Sequence, residues 1–384
     1  MDILKSLKQQ YKNLVMDSQP VKKIEKNIMV VDGGNSFMKF LTPDGETGSV
    51  QTARVKIEKE MDVMNDQDYY VRIEKQIPSG SLKNCGEYLF GTAAIADHRF
   101  EDIELGSQKF NDDILIYQII TIVADKARKN EPVELRTMLP FTQLGYKETY
   151  KKAIKGKYKI TFLNRKTTVL LDIKTVNVAA EGSYSLRGEL DKIISSKEIA
   201  NGGSEYATKI ICMFDIGGGQ VDIPGVVIDN NNSTPELFKR NLKSFSTNFG
   251  MKYIATLLLQ DLEKNNIRTT TDKVIDAIMT NENMYPLLDG GYYDFTKELH
   301  DECIKAFRSI LKSYIEYLKA QGISNHIGLI YLAGGGAISL IRALTISADK
   351  RKKPDSVYYQ YKDHKIEIRV VGDPIYHNVI GLRD

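Results

Sequence analysis

The sequence predicts an α/β protein built from two duplicated units. Strand-like and helix-like segments alternate through both halves of the chain. Val30-Val31-Asp32-Gly33-Gly34 and Met213-Phe214-Asp215-Ile216-Gly217 share the pattern apolar–apolar–Asp–x–Gly, 183 positions apart, each at the turn of an expected hairpin. A third glycine turn, Gly334-Gly335-Gly336, joins an apolar strand to a helix. With 384 residues the chain has room for two units of ordinary size.

Taken in order, Ile3, Leu4, Leu7, Tyr11, Leu14 and Val15 fall on one face of an expected helix within an extension over 1–27. Ile28–Val31 and Phe37–Leu41 read as the strands of the first hairpin. Residues 43–100 read as a small inserted subdomain with strands near 50–57, 69–77 and 88–91 and a charged stretch at 56–68. The apolar stripe Ile114, Leu115, Gln118, Ile119, Ile122 and Val123 predicts a helix over 112–129, with Asp112 and Asp113 at its start and Lys126, Arg128 and Lys129 at its end. Val133–Leu139 is a strand stopped by Pro140. Tyr158–Leu163 and Thr168–Ile173 form a hairpin around Asn164-Arg165, and Asn177–Ser195 begins with small residues and becomes helical.

The second hairpin is Lys209–Asp215 with Gln220–Ile228. Helices are expected over 247–264 and 271–281, a loop over 283–294, and a long helix over 297–321 with a stripe from Leu299 to Leu318. Strand 327–332, helix 337–346, polar residues 347–363, strand 365–371 and a tail close the chain. The expected organisation is an extension over 1–27, one domain over 28–185 with its insertion at 43–100, and a second over 186–384 with a helical insertion at 247–296.

Composition narrows the function. The chain is 42% hydrophobic and 27% charged, as a water-soluble globular protein is. A net charge of +3 is too small to argue for direct nucleic-acid binding, and the basic run Lys350–Lys353 reads as a solvated loop. Cys85, Cys212 and Cys303 lack metal spacing, and with no secretory signal they fit a reducing cytoplasm. The longest uncharged run, Gly322–Ile341, contains polar residues and three consecutive glycines, so no membrane span is expected. No G-x-x-x-x-G-K-[ST], G-x-G-x-x-G, HExxH or G-x-S-x-G pattern occurs, and each of the five histidines reads as a surface or packing residue.

The two Asp–x–Gly turns suit a nucleoside triphosphate. Phosphates need backbone N–H donors, which glycine turns expose, and a cation such as Lys39. Mg²⁺ keeps several waters and takes one or two carboxylates, here Asp32 and Asp215. Gly33, Gly34, Asn35 and Ser36 form the first cradle, and Gly217, Gly218, Gly219 and Gln220 the second. Gly334, Gly335 and Gly336 leave room for a base or ribose. Glu181, a lone acid after Val178-Ala179-Ala180, can order and polarise water.

The order Asp32-x-Gly34 with Lys39, Asp215-x-Gly217-Gly218 and Gly334-Gly335-Gly336 resembles the first phosphate, second phosphate and adenosine motifs of the actin, Hsp70 and sugar-kinase superfamily. Within it, Thr137–Thr142, Phe90–Ala94 and above all Asp373-Pro374-Ile375-Tyr376-His377-Asn378-Val379-Ile380-Gly381 resemble the bacterial ParM type of plasmid-segregation proteins. The resemblance covers about residues 28–382. It implies an actin-like fold of two RNase H-like domains flanking a nucleotide cleft, with ATP (or GTP) and Mg²⁺ bound. It further implies nucleotide-dependent filaments, hydrolysis aided by Glu181 and Asp215, and DNA segregation through a small ParR-type DNA-binding adaptor. Gly219 and Gln220 stand where ParM-like chains often carry threonines, and Gly336 where a hydroxyl residue is common. The rival expectations are a small-molecule kinase with Asp222 as base, and a non-filamentous nucleotide-dependent module of the same superfamily.

Overall fold

A computed structural model describes residues 26–34, 37–57, 69–91, 94, 108–195, 209–227, 240–242, 244–267, 269–279, 284–286, 292–323, 326–347, 356–362 and 364–383. The helix expected over 3–15, the run Lys350–Lys353, and Asn35 and Ser36 lie outside the described residues. The chain forms two units, Met1–Glu181 with Asn378–Asp384, and Gly182–His377.

The first unit contains β1 (Ile28–Gly33), β2 (Phe37–Leu41), β3 (Thr47–Gln51), β4 (Arg54–Ile57), β5 (Tyr69–Gln76), β6 (Leu82–Phe90), α1 (Asp113–Lys126), β7 (Val133–Leu139), α2 (Lys147–Ile154), β8 (Gly156–Phe162) and β9 (Thr167–Ala180). Among the described residues the strands make one sheet in the order β3-β2-β1-β7-β9-β8-β5-β6-β4. β1, β2 and β3 are an antiparallel meander, while β1, β7 and β9 run parallel. Every residue of β1 is buried, as a strand covered on both faces requires. Met29 and Val31 share a core with Leu115, Ile119 and Ile122 of α1. The α1 start is fixed by the Asp112 side chain, which accepts from Leu115 N–H and pairs with Arg54 at 2.5 Å. β4, β5 and β6 extend the far side of the sheet and carry a small core of their own, including Val55, Tyr70 and Leu89. The tail is tied to β7 by Arg136, whose Nη1 donates to the carbonyls of Leu382 and Arg383.

The second unit contains α3 (Ser183–Ser195), β10 (Ile210–Ile216), β11 (Val221–Ile223), β12 (Gly225–Val227), β13 (Arg240–Asn241), β14 (Phe245–Thr247), α4 (Met251–Lys264), α5 (Thr271–Met279), β15 (Met284–Pro286), β16 (Tyr292–Asp294), α6 (Thr296–Ala320), β17 (Ile327–Ala333), α7 (Ala337–Ser347), β18 (Ser356–Tyr361) and β19 (His364–Val370); α8 (His377–Gly381) follows. β10 pairs antiparallel with β11, β11 antiparallel with β14, and β10, β17 and β19 run parallel. The meander-plus-parallel plan of the first unit is thus repeated. β10 buries both faces by alternation: Ile210, Cys212, Phe214 and Ile216 enter the core under α4 and α6, and Ile211 and Met213 the core with Leu186 and Leu190 of α3. Burial pushes the Cys303 thiol up to about 12 and the Cys212 thiol higher still, so both are packing residues.

Four expectations need correction. Asn177–Ala180 is the end of strand β9 and not a helix start, because these residues pair in register with Arg136–Leu139 of β7. The strand after the second turn is interrupted at Pro224, which has no N–H for a ladder. The stretch expected as loop over 283–294 contains the β15–β16 hairpin. The polar segment 347–363 contains β18, an edge strand paired with β19.

Candidate functional site

The two Asp–x–Gly hairpins are built alike. In the first, Gly33 pairs with Met38 and Asp32 with Lys39. In the second, Ile216 pairs with Val221 and Asp215 with Asp222. Both turns therefore hold four residues between their last paired positions. Asp32 and Asp215 occupy the same place, at the carboxyl end of the strand that begins each parallel set, where α/β sheets bind ligands.

In the first unit Asp32 is 4% exposed, and its contact among the described residues is a long one, 3.5 Å from Asn378 Nδ2. Its carboxylate keeps acceptor capacity for a hydrated cation. Lys39 lies directly opposite on β2, close enough for its side chain to share that face. Gly34 has to be glycine: a Cβ there would sit 2.5 Å from the Phe37 carbonyl oxygen. Gly34 also offers its own carbonyl to Thr52 Oγ1 at 2.7 Å.

Glu181 lies one residue beyond β9. Its N–H donates to Leu139 O at 3.0 Å, which extends the β7–β9 ladder and fixes the backbone. Its Oε1 accepts from Lys109 Nζ at 2.8 Å, in a pair whose side chains are 6% and 11% exposed, lysine first. Lys109 stands in a short 3-10 turn, Lys109–Asn111, just before α1. Tyr150 of α2 is wholly buried beside them. Burial drives its phenol well above its ordinary pKa, with Lys109 pulling down and Glu181 and Asp32 pushing up. Tyr150 Oη and Thr137 Oγ1 are buried close to each other, and the Thr137 hydroxyl also pulls the phenol down. One end of the first sheet thus gathers Asp32, Lys109, Thr137, Tyr150 and Glu181.

The second unit presents backbone instead. Gly217 N–H closes its turn on Gln220 O, while Gly217 O and Gly218 O accept from Met251 N–H and Lys252 N–H, the first amides of α4. The turn's carbonyls are thereby directed at the helix. Among the described residues the N–H groups of Gly218 and Gly219 donate to no backbone carbonyl. This is the arrangement of an anion-binding nest beside a helix N-terminus. Gly250 permits it, since a Cβ there would lie 2.6 Å from Gly219 C and 2.7 Å from Gln220 N. Gln220 reaches Asn248 at 3.5 Å.

The third glycine turn leans on the second. Ala333, the end of β17, pairs with Asp215. Gly334 has φ +82°, and a Cβ on it would meet Ile216 O, with Asp215 Oδ1 2.8 Å away; a Cβ on Gly336 would meet Ile216 Cγ2 and the Met251 sulfur. Gly334 makes room for the Ile216 backbone and the Asp215 carboxylate, and Gly336 for the Ile216 and Met251 side chains. Pro374 O accepts from Gly334 N–H at 2.7 Å and from the His377 ring, whose Nδ1 is 2.8 Å away. A carbonyl only accepts, so the His377 proton sits on Nδ1. Nε2 then lies 3.3 Å from Asp215 Oδ1, out of line for a hydrogen bond. Asp222 accepts from Ser246 Oγ across the β11–β14 pair.

Residues 31–183 match the family model of the actin-like proteins' N-terminal domain. A ParM from a 15-stranded filament of Clostridium botulinum is similar over 94% of this chain and 98% of its own, at 16% identity and TM-score 0.63. The actin-like protein Alp7A matches over 92% and 94%, at 16% identity and TM-score 0.60. Bacillus thuringiensis ParM with AMPPNP matches over 93% and 98%, at 12% identity and TM-score 0.58. No curated protein sequence matches the chain.

The fold is actin-like. The ParM-type resemblance read from the sequence agrees with these neighbours, and the β3-β2-β1-β7-β9 path and its β14-β11-β10-β17-β19 counterpart are the duplicated cores of that fold. No helix among the described residues is long and apolar enough to cross a membrane. Among the described residues no cluster of three His, Cys, Asp or Glu side chains forms a protein-only metal cage. Sequence reading missed Lys109, Tyr150 and His377, and gave Thr137 a place in a motif but no role. For His377 a signal existed, since the motif Asp373–Gly381 had been singled out without a role for its histidine. Lys109 and Tyr150 carry no pattern, because only the fold brings them to Glu181.

Proposed function

We propose that this actin-like chain binds and hydrolyses a nucleoside triphosphate and assembles into nucleotide-dependent filaments. The observation that carries the reading is the pair of Asp–x–Gly turns in one register, one beside a buried acid and the other an open amide nest. Gly33, Gly34, Asn35, Ser36 and Lys39, and Gly217, Gly218, Gly219 and Gln220, serve the phosphates. Gly334, Gly335 and Gly336 border the adenosine. Asp32 and Asp215 would hold the waters of Mg²⁺, which would neutralise phosphate charge. Glu181 accepts a hydrogen bond from the attacking water and orients it. ATP is the expected nucleotide. The filament would segregate plasmid DNA in the cytoplasm through a small ParR-type adaptor, so the chain itself needs no basic DNA-binding face.

Sedimentation and light scattering with ATP, GTP or AMPPNP and Mg²⁺, run beside phosphate release, test this. Polymer is expected with triphosphate, persisting with AMPPNP and decaying as ATP is consumed. No assembly with any nucleotide up to the solubility limit removes the filament. No phosphate release removes the enzyme. Assembly with GTP alone reassigns the base.

A further inference from the structure

We infer that Lys109 is a positioning residue for hydrolysis, acting through Glu181. The inference rests on the reading of Glu181 as the residue that orients water. A water-orienting carboxylate has to be ionised and held in one rotamer. The backbone of Glu181 is held by its N–H bond to Leu139 O, but a glutamate side chain still has three free torsions. Lys109 Nζ removes that freedom by donating to Oε1 at 2.8 Å inside a nearly closed site. A carboxylate has about four lone-pair sites, so the ammonium bond does not by itself fill it.

Lys109 is itself an unusual residue to find here. A lysine with its side chain 6% exposed is costly unless paired, and its recorded ion pair is with Glu181. Its backbone lies in the turn that leads directly into α1, whose Asp112 cap is clamped by Arg54. The ammonium is therefore delivered from an anchored element. Tyr150 Oη and Thr137 Oγ1, beside each other, lie in the same buried cluster, which places the Lys109–Glu181 pair against further fixed polar groups.

The test is a double-mutant cycle in full-length protein: wild type, Lys109→Met, Glu181→Gln and the double variant, each assayed for kcat, KM and AMPPNP affinity. Lys109→Met should lower kcat by up to about a hundredfold, the loss that misplacement on the order of 1 Å brings, with AMPPNP affinity unchanged. In the Glu181→Gln background the same change should do nothing further. Multiplying effects in the double variant, or lost AMPPNP affinity in Lys109→Met, would overturn the inference. If Lys109→Met fails to fold because Glu181 is left unpaired, Lys109→Arg decides. The bulkier guanidinium should lower kcat when Glu181 is present and leave Glu181→Gln unaffected; equal kcat in both pairs overturns the proposal. A wild-type protein that hydrolyses no nucleotide would remove the parent reading and this inference together. A wild type that hydrolyses, with Lys109 variants that match it, would remove this inference alone.

Discussion

The two units share a plan and differ in what they place at its working end. Each begins its parallel set with a strand ending in Asp, and each closes an equal turn back onto an antiparallel neighbour. In the first unit the next strand end delivers a side chain, Glu181 after β9, with Lys109, Tyr150 and Thr137 behind it. In the second, the turns after β10 and β17 deliver bare backbone: Gly218 and Gly219 amides beside α4, and Gly334 and Gly336 pressed against Ile216. In the first unit Asn378 is near Asp32, and in the second His377 is near Asp215. A duplicated fold has in this way come to divide its labour. On the function proposed above, one copy carries the groups that act on a bond and the other a surface that holds charge.

If that division is right, variants of the first unit should change turnover and variants of the second should change binding. The largest effect is expected from Glu181→Gln, which keeps shape but removes the anionic acceptor. Phosphate release should fall by about 10²–10⁴-fold, the usual worth of a positioned base, while AMPPNP affinity holds. Filaments of this variant should outlive wild-type filaments after ATP addition. Unchanged release would erase the contrast between the units.

The mirror experiment is Gly250→Ala. The new methyl would meet Gly219 C, Gln220 N and Gly217 O at 2.6–2.8 Å, all of them backbone. Something has to move, and overpacking of this kind costs about 1–3 kcal/mol. Calorimetry should show nucleotide affinity reduced by about tenfold or more, in line with that cost. The rate at saturating nucleotide should change far less.

A subtler contrast is what faces each Asp. Lys39 stands opposite Asp32, whereas Asp222 stands opposite Asp215. Lys39→Ala should weaken triphosphate binding by about tenfold, since a charged hydrogen bond contributes about 1.5–3 kcal/mol. Asp222→Asn should leave binding near wild type and raise the urea midpoint slightly, because like charges facing each other across strands are destabilising by about 0.2–1 kcal/mol. Asn can still accept from Ser246. Lost binding in Asp222→Asn would instead give Asp222 the role of a base, as in a kinase.

The plan was legible in the sequence because hairpin turns and apolar strands write themselves locally. Val30-Val31-Asp32-Gly33-Gly34 and its partner 183 residues on needed no distant contact to be recognised. Val133–Leu139 was read to the residue, since an alternating apolar strand ends where Pro140 removes a donor. What was not legible depends on pairing between remote segments. Asn177–Ala180 has weak strand character and is a strand because β7 lies alongside. Lys109 looks like any surface lysine until the turn before α1 carries it to Glu181, 72 residues later. The tight contacts of Gly334 and Gly336 with Ile216, Asp215 and Met251 likewise depend on remote segments.

The smallest expected effect separates the units by acid. His300, on α6 of the second unit, has its pKa lowered from the usual value by burial first and by Arg342 second, against Asp301 and Asp294. A histidine whose folded pKa lies below its unfolded one stabilises the fold above the unfolded value, about 6.5, and loses that contribution as pH falls below it. Asp125, in the first unit, is desolvated by burial, but Lys126, Arg165 and the Tyr69 hydroxyl outweigh this and hold its pKa below the usual carboxylate value. Its contribution is complete above the unfolded value, about 3.9, and is lost only in stronger acid. Hydrogen exchange between pH 7 and pH 5, corrected for the intrinsic rate, should therefore show α6 losing protection while β5 and β9 do not. His300→Asn should flatten the response of α6 across that window. An equal response in the His300→Asn protein would assign the acid sensitivity of the second unit to another group.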